Sequence, residues 1–205
     1  MRKLLADSVA VLALLAGTAG AVAALHSPDP APAPHEVRTI TLPPAPDRPA
    51  APVPVVRVGA PTRIEVPAIG VDEPLTGRGL KPDGALDTPA FGAASWYAPG
   101  PRPGEPGGAV VVAHVHGPDG PDVFWDLATL RPGDVVRVHR PGNVAVFVVD
   151  TVEDVPKERL PYDRIWPATD EPLLRLVTCG GTRTATGYPD NTIVFAHLAG
   201  TASLP

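Results

Sequence analysis

The chain has 205 residues, which is enough for one domain of ordinary size with additional segments but hardly for two. Its formal net charge is -5 and charged residues make up 19% of it, so no overall positive field points to nucleic acid as a partner. The single cysteine, Cys179, cannot form an internal disulfide, so it pairs with another chain, lies inert in a core, or reacts.

Residues 1–25 have the composition of a membrane segment. Two basic residues, Arg2 and Lys3, precede the run 4–25, which is almost wholly apolar or small. About 20 apolar residues span the hydrocarbon core of a bilayer, and flanking basic residues stay on the cytoplasmic side. The sequence therefore predicts a single-pass signal anchor in the cell membrane, with the rest of the chain extracellular. A cleavable signal peptide is the alternative, because Ala21-Val22-Ala23 resembles a cleavage site.

The next segment, residues 26–61, is dominated by Pro and Ala, as in SPDPAPAPHEV and TLPPAPDRPAAPVPVV. Proline lacks a backbone N–H and fixes φ, so such a segment cannot sustain a helix or a β ladder and favours extended polyproline II. We expect an extracellular stalk that holds a domain away from the membrane. A recognition motif for a partner is a second interpretation.

Residues 62–205 are predicted to form the folded domain, from short strands separated by Gly- and Pro-containing turns. The candidate strands are Thr62–Pro67, Val71–Leu75, Ala85–Thr88, Ala109–Val115, Val135–His139, Val144–Glu153, Leu173–Thr178 and Thr192–His197. Helix is predicted at Val123–Leu130, with one turn near Tyr162–Trp166. Many short strands at this spacing predict an all-β barrel or sandwich.

Two of these strands end at residues that are suited to acyl transfer. The apolar run Val110–Ala113 leads to His114, and a second apolar run leads to Cys179, which is followed by Gly180-Gly181. A thiolate attacks a carbonyl carbon while an imidazole protonates the leaving amine, so a Cys and a His at adjacent strand ends form a minimal catalytic pair. Because a free Cys thiol has a pKa of about 8.5, such a site needs a nearby cation. An inert core thiol is the alternative.

Six segments carry a resemblance to a known family. They are, in chain order, TRIEVPAIGVDEPL, GLKPDGALDTP, SWYAPGPRPGEPGGAVVVAHVHG, FWDLATLRPGD, LRLVTCGG and YPDNTIVFA. Together they resemble sortases, and among these the actinobacterial class F group. The resemblance implies an eight-stranded β-barrel and a cysteine transpeptidase that cleaves the LPxTG-like sorting signals of secreted proteins between Thr and Gly. It further implies a thioacyl intermediate on Cys179, with His114 as the proton-transfer residue, that is resolved by a cell-wall precursor amine.

The resemblance also implies an arginine that binds the substrate near the developing oxyanion. Arg183 is the arginine that follows Cys179, in the loop before the next strand, so it is the predicted catalytic arginine. An exposed loop arginine without a role is the alternative. The residues predicted to bind the substrate are Thr178, Gly180 and Asn191.

His116 departs from the family pattern, because sortases commonly have an Asp at this position. Two residues from His114 on an extended strand, it would face the same side of the sheet. It could tune His114, bind an ion, or lie solvated in a loop. No spacing typical of zinc or calcium ligands and no phosphate-binding glycine loop is present in the sequence, so we expect no metal and no cofactor.

Two other functions remain open at the level of sequence. The first is a catalytically weak or inactive barrel of the sortase type that binds sorting-signal peptides without turnover. The second is an unrelated thiol enzyme of the cell wall, of the papain-like or L,D-transpeptidase kind. It is disfavoured because His114 precedes Cys179 and because the cysteine ends an apolar strand.

Overall fold

The computed structural model of the chain describes residues 58–84 and 86–203. The predicted signal anchor 1–25 and most of the predicted stalk 26–61 lie outside the described residues. Within the described ranges, no helix is both long and apolar enough to cross a membrane.

Eight strands close into a barrel in the order β1-β2-β3-β4-β9-β10-β8-β7, with β7 also paired to β1. Their bounds are Arg63–Val66 (β1), Val71–Arg78 (β2), Ala94–Tyr97 (β3), Gly107–Ala113 (β4), Val135–Arg140 (β7), Asn143–Pro156 (β8), Pro172–Gly180 (β9) and Asp190–Ser203 (β10). The pairs β2–β3 and β4–β9 are parallel, and the other barrel pairs are antiparallel. The predicted eight-stranded β-barrel is therefore confirmed.

Short elements connect the barrel strands. A small hairpin is formed by β5, His116–Gly117, and β6, Gly120–Pro121. Single 3-10 turns occupy Pro67–Ile69, Leu127–Thr129 and Lys157–Arg159, and the α-helix α1 runs from Tyr162 to Ile165.

The structure differs from the sequence prediction in two of its elements. The predicted strand Ala85–Thr88 does not form: Leu86 makes only an isolated bridge to Leu80, and residue 85 is outside the described ranges. The eighth barrel strand is instead β3, whose four residues ASWY are too few to show an alternating pattern. The predicted helix Val123–Leu130 consists of turns with one 3-10 turn, whereas the helical turn near residue 162 is confirmed as α1.

Strand β9 is buried on both of its faces. Leu174 and Leu176 point into the barrel and belong to its main core, whereas Val177 belongs to a second apolar cluster on the outer face. The outer cluster is covered by Leu160 and Ile165, which belong to the segment 157–166, hereafter the cover segment. Two-sided burial explains why β4 is a continuous apolar run and why β9, apart from Arg175, is apolar from Leu173 to Val177 rather than alternating.

Two arginines hold α1 over the outer face. Arg164 makes a paired contact with the carboxylate of Glu153 on β8, at 2.6 and 2.9 Å. The buried Arg175 of β9 donates from Nε to the Arg164 carbonyl oxygen at 3.0 Å, and its guanidinium lies 4.8 Å from the centre of the Phe195 ring. Burial lowers the pKa of Arg175 to about 10, so it remains charged at neutral pH and keeps these contacts.

Candidate active site

The register of β4 and β9 brings the two predicted catalytic residues together. These strands are parallel, with Val112 beside Val177. Continued by two residues, this register places His114 next to Cys179, and neighbours across a parallel pair point to the same face. Thr178 supports the alignment, because its hydroxyl donates to the carbonyl oxygen of Ala113 at 2.8 Å.

Cys179 is a free, half-buried thiol at the edge of a cleft of about 420 Å³. The cleft is lined by residues of β8 and β9, of the β9–β10 loop and of the turns after β6, and Phe124 and Trp125 form its apolar wall. The thiol also contacts a charged group. The Nζ of Lys157, the first residue of the cover segment, lies 3.7 Å from the Cys179 Sγ. The thiol is thus open to a ligand on one side and faces an ammonium group on another.

His114 is turned toward the segment that precedes β3. Its Nε2 lies 2.9 Å from the carbonyl oxygen of Pro89, and its ring lies 4.6 Å, centre to centre, from the ring of Phe91. A carbonyl oxygen only accepts, so Nε2 carries the proton of this hydrogen bond and Nδ1 is the remaining nitrogen. Within residues 58–84 and 86–203, His114 makes no hydrogen bond to the thiol.

His116 does not extend the Cys–His pair. It lies in the hairpin β5–β6, and its ring packs against Trp125 with 5.8 Å between the ring centres. Trp125 lines the cleft, so His116 supports the cleft wall. Across the part of the chain that the structure describes, no group of three or more His, Cys, Asp or Glu side chains is placed to hold a metal ion.

Arg183 lies in the β9–β10 loop, on the wall of the cleft, with its side chain exposed. No hydrogen bond or ion pair to another described residue holds its guanidinium. The structure therefore places Arg183 near Cys179 without fixing it, and its catalytic role stays a prediction.

The three predicted substrate-binding residues flank the thiol but differ in what they offer to a ligand. The Thr178 hydroxyl is engaged with Ala113, as described above. Asn191 lies directly across from Cys179 on β10, is fully buried, and has no hydrogen-bond partner among the described residues for either side-chain polar atom. At Gly180, a Cβ would overlap the hydroxyl and the backbone nitrogen of Thr192, so only glycine fits.

Lys157 is the residue of the site that the sequence analysis missed. Its backbone N–H donates to the Pro189 carbonyl oxygen at 3.3 Å, and its Nζ donates to the Tyr188 carbonyl oxygen at 2.5 Å. These contacts exist because β8 and β9 both pair with β10, which brings the end of β8 to the β9–β10 loop. No motif around Lys157 marks it in the sequence, since its role depends on pairing between distant strands.

Comparison with known proteins agrees with this architecture. The family model of the sortase domain matches residues 64–199 of this chain. None of the curated proteins compared with the chain matches it significantly. Sortase A of Listeria monocytogenes superposes with a TM-score of 0.55 at 16% identity, over 73% of this chain and 92% of that one.

Two further solved structures are similar to the same extent. Sortase C-3 of Streptococcus pneumoniae has a TM-score of 0.56 at 14% identity, over 72% of this chain and 67% of that one. Sortase A of Corynebacterium diphtheriae has a TM-score of 0.56 at 17% identity, over 70% of this chain and 62% of that one. At these identities the structures establish a shared fold.

Proposed function

Because this chain belongs to the sortase family, we propose that it is a class F-type cysteine transpeptidase that cleaves LPxTG-like sorting signals between Thr and Gly. The observation that carries the proposal is the parallel register of β4 and β9, whose continuation by two residues pairs His114 with Cys179, a residue that lines an open cleft. The chemistry requires these two side chains on one face and room for a peptide at the thiol.

The reaction follows from the chemistry of the two groups. The Cys179 thiolate attacks the carbonyl carbon of the Thr, so that a C–S bond forms and the carbonyl becomes an oxyanion. The bond to the Gly nitrogen then breaks, and His114 gives its proton to the leaving amine. An incoming amine attacks the thioester, gives up a proton to His114 and expels the Cys179 thiolate.

In this cycle His114 is an imidazolium when the leaving amine takes its proton, so both of its ring nitrogens then carry hydrogen. Its Nε2 is bound to the Pro89 carbonyl oxygen, so Nδ1 is the nitrogen that can give a proton to the amine without breaking that hydrogen bond. Catalytic hydrogen bonds are often long or poorly aligned before substrate binds.

The apolar part of a sorting signal suits the wall of the cleft beside the thiol. Trp125 lines the cleft and is 44% exposed, whereas Val177 and Ile193 of the outer cluster are buried beneath the cover segment. A peptide bound along this wall would place its Leu-Pro portion against the Trp125 ring and its Thr carbonyl at the thiol.

The cell-surface setting is part of the proposal. A signal anchor at 1–25 and a stalk at 26–61 would hold the domain outside the cell membrane, where secreted proteins and cell-wall precursor amines meet it. Neither a cofactor nor nucleic acid enters the reaction.

A peptide-cleavage assay tests the proposal. The full chain is incubated with a library of quenched LPxTG-type peptides, with and without an added amine, and the products are identified by mass spectrometry. We expect cleavage between Thr and Gly, transfer to the amine, loss of both in Cys179→Ala and His114→Ala, and a lower rate in Arg183→Ala. His197→Ala, which changes an exposed histidine that does not line the cleft, is the matched control and should retain activity. Peptide binding without cleavage would instead support the inactive barrel, and neither binding nor cleavage would overturn the proposal.

A further inference from the structure

The segment that precedes β3 holds the ring of His114. Residues 89–92, hereafter the strap, contribute two contacts to it. The Pro89 carbonyl oxygen accepts from His114 Nε2 at 2.9 Å, and the centre of the Phe91 ring lies 4.6 Å from that of the imidazole. Pro89 is buried, but Phe91 is 56% exposed, so packing alone does not fix it. The orientation of the imidazole therefore depends on what holds the strap.

Asp122, the residue that follows β6, holds the other end of the strap. Its two carboxylate oxygens lie 3.0 and 3.2 Å from the backbone nitrogen of Gly92, which donates to them. The same carboxylate accepts from the backbone N–H of Val123 at 2.6 Å. Gly92 has a φ of +73°, which favours glycine, so the strap turns at the residue that the carboxylate binds. Among the described residues, the hydrogen bonds of the strap go to His114 and Asp122.

The backbone around Asp122 is bound in turn to the backbone of His114. The N–H of Asp122 donates to the Val115 carbonyl oxygen at 3.1 Å, and the N–H of Phe124 donates to the His114 carbonyl oxygen at 2.9 Å. The contacts close a circuit, which runs from the His114 ring through the strap to Asp122 and back to the backbone at His114. Asp122 therefore fixes the strap relative to the chain that carries the imidazole.

The carboxylate and the strap are also closely packed. At Gly117 of β5, an added Cβ would lie 3.1 Å from an Asp122 carboxylate oxygen and 3.5 Å from the Phe91 ring. Hydrogen bonds to an ionised acceptor are shorter and stronger than those between neutral groups. The negative charge of Asp122 thus strengthens the bond that holds the turn of the strap in place.

We propose that Asp122 is a positioning residue for His114, which fixes the strap so that the Pro89 carbonyl keeps Nε2 and leaves Nδ1 to serve the leaving amine. The hold on the imidazole is a property of the protein without substrate, and only the effect on the reaction rests on the proposed transpeptidase function. Asp122 does not line the cleft at Cys179, so its effect on the rate has to pass through His114.

The first test follows the imidazole without substrate. The full chain is labelled with 15N-histidine and prepared as the native chain, Asp122→Ala, Asp122→Asn and Asp126→Ala. The exchange of the imidazole Nε2–H with water is measured by NMR at neutral pH, and the His114 signal is assigned by its loss in His114→Ala. Asp126 is the matched control, because it lies in the next turn and loses the same charge, but it is exposed and its side chain makes no capping hydrogen bond.

The exposed His197 is the internal reference, because its Nδ1, and not its Nε2, makes the hydrogen bond of that ring. We expect the His114 Nε2–H of the native chain to exchange at least about tenfold more slowly than that of His197. Asp122→Ala should abolish this protection. Asp122→Asn keeps an acceptor oxygen for the strap and should recover most of it, and Asp126→Ala should leave it unchanged.

The second test separates proton transfer from binding. Acylation of Cys179 is measured in single turnovers with an LPxTG-type peptide and with the p-nitrophenyl ester of its acyl part, whose leaving group departs as an anion and needs no proton. In Asp122→Ala we expect the rate with the peptide to fall about tenfold to hundredfold and the rate with the ester to change less than about twofold. A merely structural Asp122 would lower both rates by the same factor.

The proposal is overturned if the native His114 Nε2–H exchanges as fast as that of His197. It is also overturned if Asp122→Ala folds and either keeps the protection or lowers the two acylation rates equally. If the alanine variant does not fold, Asp122→Glu, whose longer side chain displaces the carboxylate, takes its place with the same expectations. If the protection is lost as expected but the native chain cleaves no peptide, the hold on His114 stands and the transpeptidase function falls.

Discussion

The hydroxyl of Thr178 links the two strands that carry the proposed catalytic pair, and Thr178→Val removes that link. The hydroxyl donates to the Ala113 carbonyl oxygen at 2.8 Å, and the residue is only 3% exposed. Valine keeps the β-branched shape that strands favour, so the change removes a hydrogen bond and sets a methyl group against a buried carbonyl. Loss of a neutral hydrogen bond together with desolvation of its acceptor costs about 1–3 kcal/mol.

The same change should reduce activity, because the residues after Thr178 and Ala113 are Cys179 and His114. A displacement of about 1 Å between reacting groups can cost a factor of up to 10² in rate, so we expect kcat/KM to fall about tenfold or more. Urea denaturation measures the free energy of unfolding, and the peptide assay measures kcat/KM. Thr178→Ser keeps the hydroxyl and should recover most of both losses.

The reasoning about Thr178 would be refuted by a valine variant whose free energy of unfolding lies within about 0.3 kcal/mol of the native value and which cleaves peptide at the native rate. Loss of the hydroxyl should cost at least about 1 kcal/mol. A serine variant as damaged as the valine variant would also refute it, because the loss would then come from the missing methyl group and not from the hydrogen bond.

Two further predictions concern the cover segment. In Gly108→Ala the new Cβ would overlap the carbonyl oxygen of Ile165, a backbone atom that cannot rotate away. We therefore expect the free energy of unfolding to fall by about 1–3 kcal/mol and the KM for the sorting peptide to rise. Gly200→Ala, whose Cβ meets no atom within 4 Å, is the control and should show neither effect in urea denaturation and kinetics. The hydrogen bonds from Arg164 hold the pKa of Glu153 below its ordinary value of 4.5, so the pair stabilises the fold above that pH and its contribution is lost as the pH falls through the lower, folded-state value. Both side chains are partly exposed, so Glu153→Gln should lower the free energy of unfolding by less than about 1 kcal/mol at pH 7 and by nothing measurable in strong acid. An equal loss at both pH values in denaturant titrations would contradict the assignment.

Much of the barrel could be predicted because its central strands carry their own signal. The run at 109–113 is apolar without interruption, as expected of a strand that is buried on both faces, and it forms β4. The apolar residues at 144–149 form the first half of β8, where Val146 and Val148 are only partly buried. Strand β3 could not be found, because its four residues follow a turn at Gly92 and are held by partners elsewhere in the chain.

Some residues of the candidate site could likewise be predicted from the sequence, and others could not. Cys179 and His114 could be proposed because each stands at the end of a recognisable strand, and their catalytic roles stay predictions. Lys157 could not, because the sequence around it, VPKERL, is ordinary, and its approach to the thiol depends on the pairing of both β8 and β9 with β10. The turning of His114 toward Pro89 is a tertiary contact of the same kind.

The most direct test of the proposed chemistry is the mass of the intact protein after incubation with an LPxTG-type peptide and no added amine. We expect a covalent adduct equal to the acyl part of the peptide that ends at Thr, which fragmentation maps to Cys179 and which an added amine removes. An adduct at another residue, or cleavage of the peptide by Cys179→Ala at the native rate, would contradict the assignment of Cys179 as the nucleophile.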